Sequence, residues 1–316
     1  MGTTWSVKLC DPDHRMALET LDALIQATLE RITGQMSAWD PDSAISRLNR
    51  AERGWYQPPK ELYHVLSHAL ALAQQTEGAY DPTLGALVDL WGFGPSGSRT
   101  STPDAATIKK AMTHAGWQHA SVNTEHAAIW QPGGLVFDVC SIGKGYGVDQ
   151  IAAVLDRRGI EHYLVEVGGE LKAKGLNEQH KPWMVDIEVP QMPPAQPAGQ
   201  PAHSSSLPVA LSNLAIATSG DYRRYFEQDG QRYAHTFNPA TGQPVTHDLT
   251  SVSVLHSQCM MADALATALF SMGPQHGPSY AETHHIPALF MHRHTNDLAL
   301  TWTAQFDRLA GIESLV

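Results

Sequence analysis

The order in which two hydrophobic periodicities follow each other restricts the fold of this chain most. "TTWSVKL" alternates with the period of two expected of a strand, and "HRMALETLDALIQATLERITGQMSAW" then carries apolar residues at helical spacing for several turns. "DPDSAISRLN" opens a turn at Asp40-Pro41, with Asp42 or Ser43 able to cap a short helix. Further helices are predicted in "PKELYHVLSHALALAQQTEG", closed by Gly78, and in "PDAATIKKAMTHAG". "AYDPTLGALVDLWGFGPSGSR" reads as a packed loop or short helix. "HASVN" and "AAIWQPGGLVFDV" read as an antiparallel ribbon turned at Pro132-Gly133-Gly134. "HYLVEVGGELKAKG" reads as one strand, and "EQDGQ" as a hairpin turn between strands. "LTSVSVLH" precedes a further helix, and "PALFMHR" with "LALTWTAQF" form a closing hairpin. Helices and ribbons are interleaved without βαβ repetition, so the expected class is α+β, with mixed, largely antiparallel sheets and packed helices.

A chain of 316 residues with 42% hydrophobic and 17% charged residues buries a substantial core, as one large or two ordinary domains, and is not disordered as a whole. No apolar run approaches the roughly 20 residues that span a bilayer. The formal charge of −11, with no basic run, argues against nucleic-acid binding, because backbone affinity for phosphate comes from clustered Lys and Arg. An anionic ligand therefore needs local positive charge from a few Lys or Arg side chains, backbone N–H groups or a metal ion. Cys10, Cys140 and Cys259 are far apart and suggest neither a disulfide framework nor a zinc site, which leaves the redox compartment open. The 17 histidines are scattered without the helical spacing of a zincin. "MGTTWSVKL" enters a strand directly, as though an upstream segment had been trimmed, so secretion stays open. Residues 190 to 208, "PQMPPAQPAGQPAHSSSLP", read as a Pro-rich surface excursion between two strands.

Two glycine patterns resemble nucleotide loops and are set aside. Gly92, Gly94 and Gly97 spell G-x-G-x-x-G, but Pro95 interrupts them and no helix follows. "GKGYGVDQIAAVLDRRGI" lacks the leading Gly and the Ser or Thr of a P-loop; it is expected to be a Gly-rich turn feeding a helix, with N–H groups that suit an anion.

In "CMMADALATALF", Asp263 and Thr267 stand four residues apart, on one helix face, among Ala, Met and Leu. Alone, Asp263 reads as a helix cap and Thr267 as a hydroxyl bonded back to a carbonyl. Their company favours a site: "FDVCSIGKG", "ATSGDYRRY" and "YAHTFNPATG" are short polar, Gly-containing turns beside apolar strands, with groups suited to phosphates or hydroxyls.

These segments, with "MSAWDPDSAISRLN", "GAYDPTLGALVDLWGFG", "LVEVGGELKAKG" and "MADALATALFSMG", resemble successive signature blocks of the ApbE family, the FAD:protein FMN transferases, in the family's order from Met1 to about residue 273. The resemblance implies an ApbE or T-fold-like single domain over 1–316, with the Pro-rich stretch inserted at about 190–208. It implies a Mg2+-dependent enzyme that cleaves FAD, transfers FMN to a Thr or Ser hydroxyl of an acceptor protein and releases AMP. By position, Asp263, Thr267 and the Ser141 carbonyl match the metal ligands; Cys140, Ser141 and Asn238 depart from the commonest letters without removing a ligand. Asp138 and Lys144 match FAD contacts, against readings as a strand-end cap and an exposed Lys. Met1 and Trp39 match positions touching the flavin, Trp39 being otherwise a core residue. Ala79, Tyr80 and Asp81 match the adenine and ribose end, and Phe237 a further contact. His235 matches the family's functional His, as base or positioning group for the hydroxyl, or else as a structural His in a strand. The implied acceptors are electron-transport subunits such as those of sodium-pumping quinone reductases, and the implied location is periplasmic, as an inner-membrane lipoprotein. A hydrolase splitting FAD into FMN and AMP, and a flavin carrier that never turns over, are the alternatives.

Overall fold

The computed structural model describes residues 2–11, 16–189, 206–222, 224–294 and 298–310. In chain order these form β1 (Trp5–Leu9), α1 (Leu18–Met36), α2 (Ala44–Asn49), β2 (Gly54–Tyr56), α3 (Lys60–Gln75), α4 (Gly85–Leu90), α5 (Ala105–Met112), β3 (Ser121–Asn123) and β4 (Ala128–Gln131). Then come α6 (Cys140–Arg157), β5 (Tyr163–Val167), β6 (Glu170–Lys174), β7 (Trp183–Glu188), β8 (Ser206–Leu211), β9 (Ala215–Gly220), β10 (Tyr225–Gln228), β11 (Gln231–Ala234), β12 (Phe237–Asn238) and β13 (Gln243–Pro244). The chain closes with β14 (Leu249–His256), α7 (Cys259–Thr283), β15 (Ala288–Arg293), β16 (Leu298–Trp302) and α8 (Ala304–Ala310).

The architecture is the expected α+β one. A seven-stranded sheet runs β1-β5-β6-β9-β14-β15-β16, every neighbouring pair antiparallel. The helices α1 and α6 lie on one face, where Leu21, Ile25 and Leu29 meet Val148, Ile151, Val165 and Val167. Further along that face α7 packs Ala264, Ala268 and Leu269 against Val252 and Val254 of β14, in a cluster that also takes in the apolar side of α3. The opposite face is covered by the β7–β8 hairpin and α8, through Val185, Ile187, Val209 and Phe306. Burying this apolar surface at about 25 cal/mol per Å² is the main drive to fold.

Local signals explain most boundaries. Ser43, not Asp42, caps α2, its Oγ accepting from Ser46 N at 3.1 Å. The Asp229-Gly230 pair turns β10 into β11 with both φ positive, as "EQDGQ" predicts.

Three expectations are corrected. "HYLVEVGGELKAKG" is a hairpin, β5–β6, not one strand: Gly168 and Gly169 adopt φ of +64° and +103° and reverse the chain in two residues. "HASVN" and the start of "AAIWQPGGLVFDV" do pair antiparallel, as β3 and β4, but Pro132-Gly133-Gly134 is not their turn: β4 has β2 as its other neighbour, and Val136 makes only an isolated parallel bridge to Leu84. The supposed turn at 143–147 is helix, because α6 already begins at Cys140. Of the Pro-rich stretch, 206–208 belong to β8, and 190–205 lie outside the described residues.

Gly145 shows why glycine sits inside that helix. A Cβ there would stand 2.3 Å from the Cys259 carbonyl oxygen and 2.8 Å from Met260 Cα, both backbone atoms that cannot swing aside. Close approach of α6 and α7 outweighs the roughly 1 kcal/mol that glycine costs in a helix. Gly145→Ala is therefore expected to destabilise the protein by about 3 kcal/mol or more, read from the denaturant midpoint. An unchanged midpoint would contradict this close approach.

Candidate active site

The helix pair α6–α7 is pinned at one end. Asp149 of α6 caps α7 with both oxygens, accepting from Cys259 N at 3.1 Å and Met260 N at 2.9 Å, and it pairs with Lys172 at 2.6 Å. The capping role considered for Asp263 is thus filled by another carboxylate. Asp263, deeper in the helix and only 3% exposed, turns to α6 instead. Its Oδ2 accepts from Gly145 N at 3.0 Å, and its Oδ1 lies 3.4 Å from Lys144 Nζ. In a regular helix the Gly145 N–H would serve the Ser141 carbonyl, so Asp263 stands beside the α6 backbone at the level of Ser141. One turn along, Thr267 Oγ1 lies 2.9 Å from Ser219 Oγ of β9, a side-chain bond in place of the back-bond to a carbonyl.

A cavity of about 810 Å³ opens onto both residues. It arises from a fork in the sheet. Two register pairs join β6 to β9, ending at Leu171↔Ile216, whereas β9 follows β14 for six, as far as Gly220. The Gly168-Gly169 turn stops the β5–β6 hairpin while β9 runs on. The notch between them is lined by Gly169 and Glu170 on one side and Thr218, Ser219 and Gly220 on the other, with α6 and α7 contributing Ser141, Lys144, Asp263 and Thr267.

Lys144 is not an exposed surface lysine. Its ammonium lies 3.4 Å from Glu170 Oε1, 3.4 Å from Asp263 Oδ1 and 3.0 Å from the Cys140 carbonyl. Burial alone would lower its pKa, but the two carboxylates outweigh burial and hold it above the usual lysine value, so it stays charged. Burial raises Asp263, with Lys144 and the Gly145 N–H opposing. Burial raises Glu170 too, with the Lys144 ammonium opposing. Glu170 Oε2 is buried without a hydrogen-bond partner.

His235 lies across the cavity, with Nδ1 3.2 Å from the Arg224 carbonyl. With Nδ1–H donating there, Nε2 is the proton-accepting nitrogen. Burial and the Arg224 guanidinium push this imidazole down to about 4, which keeps it neutral near pH 7. Arg224 also lines the cavity and donates to the Phe93 carbonyl at 3.2 Å.

The other sequence-predicted residues, Met1 apart, fall on the same cavity. Trp39 is 48% exposed, not core. Ala79 lines the wall beside Tyr80, whose buried hydroxyl accepts from Ser141 Oγ at 3.1 Å and whose pKa burial raises. Asp81 is committed within the chain: it accepts from Thr83 N at 2.8 Å, Thr83 Oγ1 at 2.6 Å and Trp117 N at 3.1 Å. Asp138 caps no strand end: it lies just ahead of α6 and accepts from the Cys140 N–H of that helix at 2.8 Å, while also facing the cavity. Phe237 packs edge-on against Phe93, centroids 6.2 Å apart. Met1 lies outside the described residues.

Glu170, Ser219, Arg224 and Phe93 are additional lining residues that sequence reasoning did not single out. For Glu170 the signal was present: a Gly-Gly pair between two alternating runs marks a two-residue hairpin, and the next residue starts the returning strand.

The profile of the ApbE family matches residues 1–290. A Vibrio cholerae protein named FAD:protein FMN transferase is 38% identical over 294 residues, 92% of this chain and 85% of that protein. One of the same name from Haemophilus influenzae is 36% identical over 317 residues, 98% of this chain and 89% of that protein. Among solved structures, the apo form of the Pseudomonas stutzeri flavinyl transferase ApbE superposes with a TM-score of 0.88 at 35% identity, covering 98% of this chain and 94% of that one. The flavin transferase ApbE of Vibrio cholerae also gives 0.88 at 35%, covering 98% and 96%.

Proposed function

The chain belongs to the ApbE family, and from that premise we propose that it is a transferase that moves FMN from FAD to a Thr or Ser hydroxyl of an acceptor protein and releases AMP. The observation that carries this reading is the release of Asp263 and Thr267 from helix duties: Asp149 caps the helix, and the two oxygen donors face one cavity with Lys144 beside them.

The donor set fits Mg2+. No group of three His, Cys, Asp or Glu residues suited to a metal exists among the described residues. One carboxylate, one hydroxyl and one carbonyl leave half of an octahedron to phosphate oxygens and water, as Mg2+ prefers. Asp263, Thr267 and the Ser141 carbonyl would hold it, and when bound it would supply charge neutralisation at the phosphate oxygens. The chain's own residues do the rest. Lys144 offers its ammonium to a pyrophosphate oxygen, and Trp39 and Phe237 offer aromatic surface to the isoalloxazine ring. The acceptor oxygen bonds to the FMN phosphorus as the bond to the AMP oxygen breaks, and the hydroxyl proton passes to His235 Nε2. A bound dianionic pyrophosphate opposes the Arg224 and Lys144 charges that depress His235, and so raises its basicity when the proton must be taken.

An electron-transport subunit as acceptor, and a periplasmic, lipid-anchored location, belong to the same proposal. No helix among the described residues is long and apolar enough to cross a membrane. Incubation with FAD, Mg2+ and a candidate acceptor is expected to give an acceptor band with in-gel flavin fluorescence and an intact mass increased by one FMN. Free FMN and AMP with an unmodified acceptor would establish the hydrolase instead; FAD left intact for hours would establish a carrier.

A further inference from the structure

Lys144 stands equally far, 3.4 Å, from two carboxylates of which the metal reading employs only one. A divalent ion on Asp263 and an ammonium on the same carboxylate repel each other, so Lys144 must give up that contact without leaving the phosphates. Glu170 is the other carboxylate in reach. It opens β6 immediately after the Gly168-Gly169 turn, paired with Val167, so its backbone is fixed at the cavity edge. The residue is 4% exposed, and its Oε2 is buried with no partner, an acceptor left over after every internal bond is made.

We infer that Glu170 is a positioning residue that draws Lys144 away from Asp263, so that the divalent ion and the ammonium occupy the cavity together. The inference rests on the metal reading above. Glu170 then binds no metal. It removes a competitor from the metal's carboxylate and keeps a cation next to the phosphates, as outer groups around metal ligands commonly do.

The test reads metal affinity, not turnover: Mn2+ titrated into FAD-saturated protein without acceptor, the free ion followed by EPR. Glu170→Gln is expected to weaken Mn2+ binding roughly 10- to 100-fold, with Glu170→Met giving the same result should the amide fail to fold. In a Lys144→Met background, where no ammonium competes, the same Glu170 substitution is expected to change affinity by less than about threefold. Wild-type affinity in Glu170→Gln, or an equal loss in both backgrounds, overturns the inference. Asp263→Ala is the control: if it binds Mn2+ as wild type does, the metal reading itself fails and the inference falls with it.

Discussion

Asp263→Ala lowers FMN transfer by about 10³-fold or more at saturating FAD and Mg2+, while the protein still folds. The loss corresponds to about 4 kcal/mol of transition-state stabilisation, within what a cation and its carboxylate supply to phosphoryl transfer. Stability is affected far less. The Gly145 N–H has the Ser141 carbonyl within the helix as its alternative partner, Lys144 keeps Glu170 and the Cys140 carbonyl, and a carboxylate that burial disfavours disappears. Thermal unfolding without Mg2+ is expected to show a change of about 1 to 2 kcal/mol. Transfer persisting near the wild-type rate would remove Asp263 from the ligand set.

His235→Ala is expected to slow transfer by about 10² to 10⁴-fold, the usual contribution of a positioned base, with FAD affinity within about threefold of wild type by flavin fluorescence quenching. If transfer is unchanged, His235 is only a structural partner of the Arg224 carbonyl. The pH behaviour gives an independent sign. His235 is lowered from 6.5 to about 4, so between those values the unfolded chain holds a proton that the folded one does not. Its contribution to stability is complete above pH 6.5 and is lost as pH falls toward 4. Removing the imidazole should flatten that part of the stability profile.

Which parts of this site can be read from a sequence depends on what each residue answers to. Asp263 and Thr267 were legible because a helix face has a fixed period and the flanking Ala, Met and Leu leave their oxygens conspicuous. The Asp229-Gly230 hairpin was legible because turn chemistry is local. Gly145 was misread as turn because its reason is a neighbour, the Cys259 carbonyl, more than a hundred residues away in the chain. Asp149 was missed as a cap for the same reason: it belongs to one helix and satisfies the N–H groups of another. Glu170 sat in a quoted segment, but reading "VEVGGEL" as one continuous strand concealed where it points.

The cavity owes its room to a strand that ends early. Continuing the β6–β9 register would place Gly169 opposite Thr218. Had the hairpin been longer by one dipeptide in each arm, backbone would fill the notch, and the protein would be a sturdier sheet with no cavity there. The arm length of this one hairpin therefore sets how much open volume the fold keeps beside Asp263 and Thr267.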